Sequence, residues 1–142
     1  MKHPLHPALV HFPIACWSLA SLADLAGQWS TRWPFAQWSL GLLIVGCATG
    51  LVAAGAGLLD FSKLAPAHPA LADASRHMAL ALTAWGLYAV SLLLRVDGMQ
   101  PVPPTATALV PSGLGFLTLC ATGWLGGKLV YEHGAGVVDQ RQ

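Results

Sequence analysis

Charge is the scarcest property of this 142-residue sequence. Seven Lys and Arg and six Asp and Glu make up 9% of it, where a soluble domain carries about a quarter. So few charges cannot clothe a globular surface, and a freely soluble domain is excluded. The net charge of +1 argues against nucleic acid or any other polyanionic partner. Cysteine is scarce too. Cys16, Cys47 and Cys120 stand apart within apolar stretches, form no CxxC pair and are odd in number. They read as small buried apolar residues rather than as a disulfide framework or a thiolate metal site. There is no HExxH, no P-loop, no nucleophile elbow and no dinucleotide fingerprint. Gly55-Ala-Gly57 is a helix-packing feature. The alternating ten-residue strands of an outer-membrane barrel are missing. No cleavable leader is expected, because the first apolar stretch is too long for one.

What fills the chain is apolar sequence, 55% of all residues. A helix needs roughly 20 apolar residues to cross the hydrocarbon core, and four stretches qualify. They run over about 8–26, 35–59, 77–94 and 107–131. In lipid the backbone must satisfy its own hydrogen bonds, so each stretch predicts a helix. The expected architecture is all-α, an integral membrane up-down four-helix bundle in one domain over 1–142. Three links join the helices: Gly27 to Pro34, Asp60 to Arg76, and Arg95 to Pro104. Proline and glycine end the helices there through a lost donor or a freed φ angle.

Lys2, Lys63, Arg76, Lys128 and Arg141 lie on the side of the termini, and Arg32 and Arg95 on the other. The positive-inside rule then predicts cytoplasmic termini in a bacterial inner membrane. Trp29, Trp33 and Trp38 suit an aromatic belt on the opposite face. Gly46 to Gly50 and Gly123 to Gly127 are GxxxG patterns. Small residues let helices approach closely in lipid, and a small face on the second span would also suit a planar cofactor. An exposed GxxxG face would suit a homodimer.

Histidines cluster where the apolar stretches begin or end. In an up-down bundle all six fall on one rim, with Asp60, Arg76, Lys128 and Glu132. Neutral imidazole binds haem iron and transition metals, and two helices of a bundle can clamp one iron from both faces. His11 and His77, each close to the start of its span, are the expected axial ligands of a haem b. His6 and His133 are the substitutes, or part of a second site. Arg76 and Lys128 would pair with the propionates, and Asp60 would orient an imidazole N–H. Interfacial anchoring is the competing reading for these histidines. His3, His6 and His68 each precede a proline and also suit turns or helix starts. Pro13 either kinks the first span, re-aiming His11, or lies harmlessly in a first turn.

The opening His6-Pro-Ala-Leu-Val-His11-Phe-Pro-Ile-Ala resembles the N-terminal signature of the small bacterial membrane family called domain of unknown function 2231. Gly57-Leu-Leu-Asp60-Phe61 is similar to its Gly-x-x-Asp-Trp turn, with Phe61 in place of Trp. Arg76-His77 and the run from Gly126 through Tyr131 and His133 to Gly136 resemble its later motifs. The resemblance covers nearly the whole chain and implies four membrane helices but no established activity. Some relatives are joined to Rieske-type or cytochrome-c-like domains, which implies redox company. The expected function is therefore electron transfer by a haem b-binding membrane protein, with a quinone or a redox protein as partner. The alternatives are a membrane protein that handles protons or a non-redox transition metal ion, and a structural helper of a larger complex.

Overall fold

The computed structural model describes residues 5–30, 34–97 and 100–135; Lys2, His3, Arg32, Trp33 and Arg141 lie outside them. Its helices are α1 (Leu5–Leu9), α2 (His11–Ala26), α3 (Phe35–Phe61), α4 (Leu71–Leu93) and α5 (Ala106–Tyr131). The chain forms an up-down four-helix membrane bundle in which α1 and α2 share one leg. Pro13 explains the joint between them. It lacks the N–H that would bond the Leu9 carbonyl, so the helix breaks at Val10 and restarts at His11. The bonds Val10 N to His6 O (3.1 Å) and Ile14 N to Val10 O (3.2 Å) carry the path across the break.

Leu5–Ala26, Phe35–Phe61 and Ala106–Tyr131 are long and apolar enough to cross a membrane. The fourth expected span belongs to α4, which begins at Leu71 rather than at His77. Its extra turns carry Asp73 and Arg76, and by length and composition α4 is not among the candidate spans. It runs along α5 as α2 runs along α3, and α3 against α4 joins the two hairpins. The link after α4 holds an addition to the all-helical expectation. Val96–Asp97 pairs antiparallel with Gln100–Pro101 as a two-residue ribbon, β1 and β2.

Flat rings on glycines build the middle of the bundle. Trp17 of α2 lies on Gly46 and Gly50 of α3, where a Cβ would come within 2.7 and 2.8 Å of the indole. The small face of α3 thus receives a side chain, not a planar cofactor. Trp17 also stacks on Tyr88 of α4, with centroids 5.1 Å apart and planes 7° apart. Such a pair contributes about 0.5–1.5 kcal/mol beyond its buried area. Tyr88 lies on Gly115 of α5, and its hydroxyl meets Ser21 Oγ at 2.9 Å. Trp85 Nε1 donates to the Cys47 carbonyl at 3.0 Å, tying α4 to α3. Cys47 is buried beside these rings, as expected of a small apolar residue. Cys120 is exposed. Gly123 meets nothing within 4 Å, so the second GxxxG pattern packs no helix inside the described bundle.

Arg95, expected to be a loop charge, is instead 1% exposed and turned into the bundle. It donates to both Asp24 oxygens, at 2.7 and 2.6 Å, and to Ser39 and Ser91. Ser112 donates to Asp24 at 2.8 Å. An ion pair away from water holds only when its remaining hydrogen-bonding groups are met, and the three serines meet them. All four legs therefore converge on this one cluster.

Candidate metal centre

Two histidines meet at the rim where α1 and α4 begin. His6 Nδ1 lies 2.8 Å from the carbonyl oxygen of Ala53 on α3. His77 Nδ1 lies 3.0 Å from that of Thr122 on α5. A carbonyl only accepts, so Nδ1 is the protonated nitrogen in each ring and donates. A neutral ring then presents its lone pair at Nε2. A backbone acceptor on one nitrogen is how proteins fix the tautomer and direction of a metal-binding imidazole.

Glycine makes room for both rings. One turn beyond each carbonyl stands Gly57 on α3 and Gly126 on α5. A Cβ at Gly57 would lie 2.9 Å from His6 Nδ1, and one at Gly126 3.2 Å from His77 Cε1. The imidazoles thus lie directly on helix backbone. Their centroids are 6.3 Å apart with planes at 89°. Neither Nε2 has a hydrogen-bond partner among the described residues.

The structure brings His6 and His77 together, and not His11 and His77. His11 is exposed and makes a long contact of 3.4 Å with the Ala8 carbonyl. The physical reason is helical phase. Each residue turns about 100°, so a position five residues on points about 140° away. With His6 inward, His11 faces outward.

The other expected site residues gather on different partners. Asp60 pairs with Lys63 at 2.9 Å, and backbone carbonyls take the orienting role assigned to it. Arg76 and Lys128, expected to meet propionates, both turn to Asp73, at 3.3 and 2.9 Å. His133 Nε2 also bonds Asp73, at 3.1 Å. The hydrogen bond from Lys128, and then that from His133, hold the Asp73 carboxyl well down, at about 2. His68 Nδ1 accepts from Ala70 N at 3.1 Å, in the turn before α4. It has the turn role that its following proline allows.

The donor set tests which group these residues could hold. A structural zinc takes four protein ligands and a catalytic one three. No group of three or more His, Cys, Asp or Glu fit for a metal exists among the described residues. Haem iron asks less, since the porphyrin supplies four nitrogens and the protein one or two. Imidazole nitrogen sits about 2 Å from a bound metal, so two rings on opposite sides of one ion have centroids roughly 6 Å apart. The observed 6.3 Å matches that spacing.

Sequence reasoning ranked His6 below His11 and did not single out Asp73 or Asp24. Asp24 carried a signal, since an ionisable side chain within an apolar span is rare and tends to face the bundle interior.

Comparison with known proteins agrees with this membrane architecture. No curated protein and no solved structure matches the chain. A family model described as a predicted membrane protein, domain of unknown function 2231, matches residues 2–139. With nearly its whole length matched, the chain belongs to that family of membrane proteins.

Proposed function

We propose that this protein binds haem b between His6 and His77 and passes single electrons within the membrane. One observation carries the reading. Two imidazoles from different helices are each anchored through Nδ1 to a neighbouring backbone, with centroids 6.3 Å apart. Haem iron at such a pair supplies one-electron chemistry. The chain's own part is to fix both rings and to surround them with apolar helix. A quinol or a redox protein would exchange electrons at that rim. Bacterial inner-membrane placement with cytoplasmic termini belongs to the same proposal. Lys63, Arg76 and Lys128 share the histidine rim, while Arg95 is withdrawn from the opposite one. A homodimer through the outward face of Gly123 is a further part of it.

The test is the absorption spectrum of detergent-purified protein from haem-supplied cells, oxidised and then dithionite-reduced. A Soret band with a sharp α band on reduction is expected. His6→Ala and His77→Ala should each lose it, and His11→Ala and His133→Ala should keep it. A featureless wild-type spectrum, or full haem content in both His6→Ala and His77→Ala, overturns the assignment.

The second reading, proton handling at the same rings, has one observation of its own. Asp73, with Lys128 and His133 on it, stands one turn before His77 on α4. Proton uptake that depends on His77 in haem-free protein would favour it.

A further inference from the structure

The histidine pair is one of three pairs that recur at a fixed interval. His6 and His77, Trp17 and Tyr88, and Asp24 and Arg95 are each 71 residues apart. The receiving helices repeat as well. Gly46 and Gly115, Ala53 and Thr122, and Gly57 and Gly126 are each separated by 69 residues. Each matched position has a matched role. Ala53 and Thr122 offer the carbonyls, to His6 and His77. Gly57 and Gly126 lie under those rings, and Gly46 and Gly115 under Trp17 and Tyr88.

The members of each pair also meet each other. The imidazole centroids are 6.3 Å apart, the central rings 5.1 Å, and Arg95 reaches Asp24 at 2.6 Å. Intervals of eleven and then seven residues are about three and two helical turns, so each triplet lines one face over roughly 27 Å. Both hairpins start on the same rim. An axis along the bundle, as in parallel membrane repeats, therefore relates them. Histidine and the two glycines recur at three of these six matched positions and the side chains differ at the other three, so the repeat lies in the contacts as much as in the letters.

We propose that the chain is two copies of one helical-hairpin unit, residues 5–61 and 71–131, and that the histidine site lies on their shared axis with half contributed by each. Such a site takes a ligand with two equivalent faces, one met by each unit. The identity of that ligand rests on the haem reading; the repeat does not. At the far rim the equivalence is broken on purpose of pairing. Two copies of the first unit would oppose two carboxylates, and two copies of the second two guanidiniums. Opposite charges at Asp24 and Arg95 thus favour the unlike pairing and penalise the like ones.

Exchanging residues across the axis in the full chain tests this. Asp24→Arg and Arg95→Asp each bury two like charges and should lower the melting temperature in detergent by roughly 10 °C or more. The double exchange should recover at least half of that loss. Trp17→Tyr with Tyr88→Trp provides a second exchange, in case the charged variants fail to accumulate. It should melt higher than the poorer of its single variants. If neither double variant recovers over its singles, the positions are not equivalent and the repeat is overturned. Melting reports the repeat whether or not anything is bound. Recovery together with a featureless spectrum would keep the repeat and discard the haem.

Discussion

Adding one methyl group at two glycines of the same helix should have opposite effects. Gly41 and Gly46 both lie in α3. A Cβ at Gly41 meets nothing within 4 Å, whereas one at Gly46 would lie 2.7 Å from Trp17 Cδ1 and Nε1 and 3.2 Å from Cys16 Cβ. Gly41→Ala therefore gains the helix preference of alanine, up to about 1 kcal/mol. Gly46→Ala has the same gain but forces a stacked indole off its helix. Overpacking of this kind costs about 1–3 kcal/mol. Moving Trp17 also disturbs the Tyr88 stack, for about 0.5–1.5 kcal/mol more. The two variants should then differ by roughly 2–4 kcal/mol. At this chain length that is on the order of 5–15 °C in melting temperature. Thermal unfolding in detergent, followed by tryptophan fluorescence, measures it. Gly46→Ala melting at or above Gly41→Ala would refute the assignment of Trp17 to the Gly46–Gly50 face.

Three further outcomes follow from particular contacts. Asp24→Ala strands Arg95 inside the bundle and should destabilise by about 3–5 kcal/mol, while Asp97→Ala, on the exposed ribbon, should change little; equal losses on denaturant unfolding would refute the clamp. Asp73 is held at about 2, below an ordinary Asp near 3.9, so it contributes stability that is present above about pH 4 and fades as pH falls through about 2. The melting difference between wild type and Asp73→Asn should therefore shrink over that acid window, and a difference already gone by about pH 6 would contradict the ion-pair assignment. Reporter fusions should place both termini in the cytoplasm, and a periplasmic signal from either would reverse the topology.

Much of the fold was legible because bilayer physics reduces it to apolar run length. Helices α3 and α5 fall close to where their runs do. The rim that gathers the histidines follows from the alternation of legs. The choice between His6 and His11 was not legible, because it depends on rotational phase and Pro13 breaks the leg between His6 and the rest of its helix. Arg95 misled for a related reason. A basic residue at the end of an apolar run reads as a boundary, and nothing local reveals a carboxylate 71 residues earlier in the chain. Asp73 escaped notice because only Arg76 is a local partner, while Lys128 and His133 come from the end of α5 and the turn after it.

The Asp24–Arg95 clamp also has a consequence for the order of assembly. During synthesis α2 is made long before Arg95, so a carboxylate must wait near the membrane without its counter-charge. The first hairpin is thus an unfinished object until the end of α4 arrives. A chain truncated before residue 95 would keep the apolar spans of its first hairpin, Leu5–Ala26 and Phe35–Phe61, yet leave Asp24 without its guanidinium.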